Sequence, residues 1–346
     1  MFTSYKYLHG HTLENLNNCI KFFFEQLFDR SGKRYSKKVI HYNFKVIIDQ
    51  CPKLDSLLRK TYKEYNNLDS SEKTLIKEAF FNNNQIEKLC RGDLEPIHYS
   101  ELPSSFAKVC YDLFKYLYES LPNTDIFQES MGTFLDHYQK LRELNKTVIM
   151  CPSCGVSFMK PINYSKRNDY DHYLPKSIYP FSSVNFNNLV PICDDCNSDE
   201  KKAQDTLYRE KNKKSRRKVF YPYDSNIISG HIQVRLLGDD PDNLRIKLEG
   251  NDEQKEEIES WDGLFSISSR YLAITKERQG GWMSELQRKY KKQREKPSFD
   301  FKQFLDEEFE DLYANLFVDR VFLKKALYDW LCSNPDLERD LELSVM

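Results

Sequence analysis

Residues 151–202 hold most of the side chains that can do chemistry together in this chain. Two cysteine pairs, Cys151/Cys154 in "CPSCG" and Cys193/Cys196 in "ICDDCNSDEKK", are separated by 38 residues. Together they supply four thiolates, the donor set that suits tetrahedral zinc, and a site closed by four protein ligands keeps no position open for substrate. The clip therefore reads as structural zinc. Between the pairs lie Asp169, Asp171, His172 and Asn188, with Asn197 just past the last cysteine. Hydrolysis of a phosphodiester needs a base to deprotonate water and a hard cation to meet charge on the leaving oxygen. His172 is titratable near neutrality, and Asp171 offers the carboxylate oxygen that Mg²⁺ or Mn²⁺ prefers. Neighbours on a strand point to opposite sides, so the two can serve one phosphate only where the strand ends or bends, as Pro175 suggests it does. Asp169 is expected on the strand face of Asp171, as a further carboxylate near the ion.

The order "DYDHYLPKS…NNLVPICDDCNSDEKK", with "CPSC" upstream, resembles the HNH endonuclease family in its zinc-stabilised form; the resemblance covers residues 151–202. It implies a ββα-metal site, a hairpin followed by a helix, that cuts nucleic acid with one divalent ion and leaves a 5′-phosphate and a 3′-hydroxyl. It implies His172 as general base, Asp171 and Asn197 as ligands of a catalytic Mg²⁺ or Mn²⁺, and Asn188 as the asparagine that steadies hairpin and base. Asn197 stands where the name-giving motif has its final histidine. An amide oxygen is a weaker ligand for softer metals, which favours Mg²⁺ or Mn²⁺ over Zn²⁺ in that position. DNA is the favoured substrate, with tRNA or other RNA as the alternative. Flanked HNH nucleases are similar to effector subunits of bacterial anti-phage systems, so a protein partner, with an ATPase as the candidate, is expected. The rival expectations are a restriction or homing nuclease acting alone, and a zinc-clipped nucleic-acid-binding module without catalysis.

The remaining residues must position this stretch. With 346 residues, 22 Tyr, 23 Phe and 30% charged side chains, the composition is that of a packed globular protein rather than a disordered one. No apolar run approaches the ~18–20 residues that span a bilayer, and the opening "MFTSYKYLHGHTLENLNN" lacks the pattern of an export signal. A cytoplasmic protein with no membrane contact is expected. Cys19, Cys51, Cys90, Cys110 and Cys332 sit in apolar helical patterns and read as buried small hydrophobes. His9, His11, His41, His98, His137 and His231 have no chemical context comparable to that of His172.

The expected fold class is mainly α with a small α+β part. Residues 1–147 form a helical N-terminal domain, with apolar positions at helical spacing in 15–28 and 102–121, and with Ser70 or Ser71 capping the helix that starts there. Residues 148–220 form the zinc-clipped nuclease domain. Residues 221–346 form a β-hairpin, with strands in 231–238 and 243–250, followed by helices; Phe301, Phe304, Leu305, Phe309, Leu312, Leu316 and Phe317 line one face of the last. The net charge of −1 is unevenly spread. Residues 201–218 hold nine Lys/Arg against two acids, whereas 299–312 hold six acids and one Lys. Lys201, Lys202, Lys211, Lys213, Lys214, Arg216, Arg217 and Lys218 are thus the expected phosphate contacts. Tyr208, Phe220, Tyr221 and Tyr223, interleaved with or following them, read as stacking platforms for bases or as packing for the hairpin.

Overall fold

A computed structural model describes residues 1–210, 215–240 and 243–344. The chain is mainly helical with two small antiparallel sheets. No described helix is long and apolar enough to cross a membrane. The division at 147 and 220 follows motifs along the sequence, whereas contacts group residues 5–148 with 159–225 in one compact unit, and 1–4, 149–158 and 226–346 in another.

The first unit contains α1 (Glu14–Asp29), α2 (Tyr42–Gln50), α3 (Pro52–Asn67), α4 (Ser70–Asn83), α5 (Ile86–Arg91), α6 (Ser104–Lys115), α7 (Asp125–Met131) and α8 (Phe134–Leu144). The cap of α4 is Asp69 rather than either serine. Its carboxylate accepts from Glu72 N at 2.8 Å, and Glu72 returns a bond to Asp69 N at 3.1 Å. An acid there meets both the orphan N–H groups and the positive end of the helix, so the serines fall into the first turn. Directly after α6 the chain widens into a π-helical turn, Tyr116–Ser120, before a 3₁₀ turn containing Pro122.

Two three-residue strands follow in the same unit, β1 (Tyr170–His172) and β2 (Leu189–Pro191), with Asp171 opposite Val190 and His172 opposite Leu189. Pro191 lacks an N–H and limits the ladder at one end. The loop between the strands is nailed into the helical core by Phe181, 1% exposed, whose ring lies 5.5 Å from Phe24, 5.4 Å from Phe80 and 5.7 Å from Phe114. Burying one such ring contributes roughly 1.5–3 kcal/mol. The N-terminal helices therefore form the floor on which the β1–β2 loop is built. After β2 comes a second π-helical turn, Asp195–Lys201, ending at Lys202 with φ +52°.

In the second unit, β3 (Gln233–Leu237) pairs with β4 (Arg245–Glu249) as the alternation indicated. Leu236 and, just before β4, Leu244 are buried in a cluster with Leu286, Tyr290, Phe304, Leu312 and Leu327. These come from α10 (Ile267–Arg294), α11 (Phe301–Ala314) and α12 (Val321–Cys332), which follow α9 (Lys255–Phe265); α13 (Leu337–Ser344) ends the described chain. The acidic segment forms α11 as expected, but the helix stops at Ala314, so Leu316 and Phe317 lie beyond it. Cys19, Cys51, Cys90 and Cys110 are buried; Cys332 is exposed because it is the last residue of α12.

Candidate functional site

His172 closes β1 and is half-buried. Its Nε2 lies 3.1 Å from Ser183 O. A carbonyl accepts only, so Nε2 carries the proton and donates, leaving Nδ1 as the basic nitrogen. The Tyr118 ring meets the imidazole edge-on at 4.3 Å. Burial pushes the His172 pKa down to about 3, with Lys176 and Lys201 adding repulsion and the Ser183 bond opposing. The ring is neutral at pH 7, and a phosphate beside it would oppose the shift because negative charge favours the imidazolium.

Asn188, fully buried, braces the residue before Ser183, which itself bonds Pro180 O. Asn188 Oδ1 accepts from Leu174 N at 2.6 Å, and its Nδ2 reaches Leu174 O at 3.0 Å and Ser182 O and Oγ at 3.3 and 3.2 Å. Both the oxygen and the nitrogen of this amide are engaged on backbone and Ser182. Asn188 is thus a positioning residue that folds the 174–183 loop back so that the next carbonyl, on Ser183, faces His172.

Asp171 points the other way, as strand alternation requires. It is 3% exposed, and Oδ1 accepts from Lys201 Nζ at 2.9 Å; Lys201 is itself fully buried and also donates to His172 O at 2.9 Å. Burial raises the Asp171 pKa, opposed by Lys201. The second oxygen, Oδ2, is buried with no hydrogen-bond partner among the described residues. A desolvated carboxylate oxygen left open in this way fits a cation. Asn197 sits four residues before Lys201 on the same turn, and residues so spaced share a helix face. The Asn197 amide makes no hydrogen bond among the described residues. π-helical turns recur at functional sites, and here two of them, carrying Tyr118 and Asn197, border the end of β1.

Asp169 does not join Asp171. It precedes the strand, its side chain is 76% exposed, and it pairs with Arg167 at 3.2 Å. The basic segment also divides. Lys201 is turned inward, and Arg217, 6% exposed, gives its guanidinium to the carbonyls of Thr206 and Asp205. Arg216 bonds Leu89 O, Arg217 O and Leu207 O. Lys201 and Arg217 are committed inside the protein, which removes them from the expected phosphate contacts, while half-buried Arg216 is engaged on carbonyls. Lys202 and Lys218 are exposed, and Lys211, Lys213 and Lys214 lie outside the described residues. Tyr208, Phe220, Tyr221 and Tyr223 are all buried, with hydroxyls on Glu95, Asn187 and Leu189 O for the three tyrosines, so they are core of the first unit and not stacking platforms.

The four clip cysteines are buried, and their sulfur atoms lie within 4.8 Å of one another. A tetrahedral zinc with ~2.3 Å bonds sets sulfurs ~3.8 Å apart, so this cluster can hold a structural metal such as zinc. The knuckle at 151–155 closes with Gly155 N on Cys151 O at 2.8 Å, and Gly155 takes φ +68°, where a Cβ would stand 2.6 Å from the Phe2 ring. Trp261 Nε1 holds Ser153 O and Tyr271 OH holds Cys154 O, both at 2.6 Å. On the other pair, Cys193 O accepts from Asn197 N at 3.0 Å, so the clip also anchors the turn that carries Asn197.

Tyr118, Lys176 and the inward role of Lys201 were not foreseen from sequence. Tyr118 carried one signal, its place in a segment of apolar spacing just before Pro122; Lys176 and Lys201 carried none. Comparisons with protein-family models, curated proteins and solved structures find no match.

Proposed function

We propose that the protein is a metal-dependent endonuclease of the HNH type that hydrolyses phosphodiester bonds in nucleic acid, with DNA the favoured substrate. The observation that carries this reading is the succession of Asp171 and His172 at the end of β1, with side chains on opposite sides of the strand that can reach one phosphate only around the strand end. An imidazole whose tautomer is set by Ser183 O stands next in sequence to a buried carboxylate with one oxygen unpaired among the described residues, and Lys201, which holds the other oxygen, belongs to the turn that carries Asn197.

In this reading Nδ1 of His172 takes the proton from the attacking water, while Nε2 stays bonded to Ser183 O so that the ring cannot rotate away. Asp171 Oδ2 and the Asn197 amide oxygen would hold Mg²⁺ or Mn²⁺, which supplies charge stabilisation at the leaving oxygen when bound. Tyr118 packs on one edge of the imidazole and restricts its water contact. Lys176, whose charge acts on His172, is the described cation best placed to attract a phosphate; Glu119, 2.7 Å away, holds it over the Tyr118 ring.

A plasmid-nicking assay with Mg²⁺ or Mn²⁺ tests the proposal. Wild-type protein is expected to nick, and His172→Ala to lose on the order of 10²–10⁴-fold in rate without recovery at raised metal, because added ion cannot replace a proton acceptor. Cleavage by His172→Ala within threefold of wild type overturns the assignment. A wild type that binds nucleic acid but never cuts leaves the non-catalytic module as the function.

A further inference from the structure

We propose that Lys201 is a specificity-determining residue for the ion. By occupying one oxygen of Asp171 it makes that carboxylate a one-oxygen ligand, which favours Mg²⁺ or Mn²⁺ over Ca²⁺. The inference rests on the nuclease reading above and extends it to the choice of metal.

The geometry is specific. Lys201 is the last residue of the π-helical turn and is wholly buried, unusual for a lysine. Its ammonium spans two consecutive residues of β1, donating to Asp171 Oδ1 and to His172 O, each at 2.9 Å. That leaves Oδ2, buried beside it, as the carboxylate oxygen without a hydrogen-bond partner among the described residues. Mg²⁺ takes few protein ligands in a tight octahedron and keeps its waters, so a single carboxylate oxygen serves it well. Ca²⁺ takes six to eight oxygens and commonly chelates a carboxylate through both. With Oδ1 held by an ammonium, the second mode is closed, and the added positive charge penalises any ion that must approach both oxygens. The strand pairing sharpens the restriction. Asp171 is opposite Val190 in the ladder, and its neighbour His172 is tied by the same lysine. Rotation of the carboxylate toward a chelating pose would break the ammonium bond and leave Lys201 buried without its counter-charge, a costly state.

Metal binding without substrate separates this role from catalysis. Mn²⁺ binding to zinc-loaded protein is measured by electron paramagnetic resonance, with Ca²⁺ and Mg²⁺ as competitors, for wild type, Asp171→Asn, Lys201→Met and Lys201→Arg. Wild type is expected to bind Mn²⁺ in an Asp171-dependent way and to be displaced by Mg²⁺ more readily than by Ca²⁺. In Lys201→Met the freed Oδ1 is expected to raise Ca²⁺ affinity relative to Mn²⁺ by about tenfold or more, the equivalent of one extra oxygen ligand. Lys201→Arg keeps the charge and is expected to keep the preference. A lysine with a purely structural role would lower stability and leave the Ca²⁺-to-Mn²⁺ ratio unchanged, and that result overturns the inference. Should Lys201→Met fail to fold, Lys201→Gln, which retains a donor without the charge, is measured against the same two outcomes. Absence of Asp171-dependent Mn²⁺ binding in wild type overturns the nuclease reading itself, a result distinct from an unchanged ratio.

Discussion

Replacing Asn188 by alanine tests whether the base is positioned through the loop. The side chain is fully buried, so no water can take over its bonds. Its loss strands Leu174 N, bonded at 2.6 Å, and Leu174 O, bonded at 3.0 Å, and frees Ser182. Each buried backbone group left unpaired costs roughly 1–3 kcal/mol, so about 4 kcal/mol is a central expectation for the pair. In a unit of roughly 150–250 residues each kcal/mol shifts the melting temperature by ~2–4 °C, which sets the expected drop at about 8–16 °C. A second readout follows from the next residue. With the loop loosened, Ser183 O no longer fixes His172 Nε2, and the His172 imidazole ¹⁵N signals, expected in wild type to report the Nε2–H tautomer alone, are expected to report both. Thermal melts followed by circular dichroism, together with selective ¹⁵N-histidine spectra, measure the two effects. A melting change below ~2 °C refutes the burial argument. A large drop with the tautomer unchanged refutes the link from Asn188 to His172.

Cys193→Ser is expected to abolish stoichiometric zinc, measured by plasma mass spectrometry, and with it the thermal transition of the clipped segment, since metal-binding energy in such sites is folding energy; full metal content in the variant would refute the tetrathiolate. His137 supplies a pH signature. It is 2% exposed, and burial, with help from His11 and Lys140, pushes its pKa down to about 3 from the ordinary 6.5, against the pull of Asp136. The folded state then binds fewer protons than the unfolded one between those values, so stability is complete above pH ~6.5 and falls as pH drops toward 3. At pH 5 the loss from this group is about 2 kcal/mol. Urea titrations at pH 7 and pH 5 check it, and a His137→Gln variant with the same pH slope as wild type would sink the assignment.

The helices of 15–28 and 102–121 and the hairpin were legible because periodicity reports burial, and burial is what those segments share. The cysteine clip was legible because thiolate spacing is chemical, independent of the fold around it. Asp171 and His172 at a strand end were legible through Pro175 and the alternation of strand neighbours. What was hidden is side-chain direction at charged residues. Lys201 and Arg217 look, in sequence, like any members of a +7 run. Only the buried carboxylate of Asp171 and the open carbonyls of Asp205 and Thr206 turn them inward, and those acceptors come from tertiary structure. Phe181 was hidden for a related reason, since one aromatic in a loop has no period. The cap of α4 was misread by one residue because Asp69 and the serines are all good caps, and the choice fell to the partner, Glu72.

The two π-helical turns have an implication for how this chain tolerates insertion and deletion. A π turn is an α-helix carrying one residue more than its pitch accommodates, at some loss of backbone bonding. Removing one residue at 116 or 117 would let α6 run on with regular pitch, so a deletion that harms most helices is here a repair of the helix itself. The same deletion turns every following position by about 100° around the axis and carries the ring of Tyr118 off the imidazole it touches at 4.3 Å. Length change at this turn thus sets helix regularity against the contact of Tyr118 with His172.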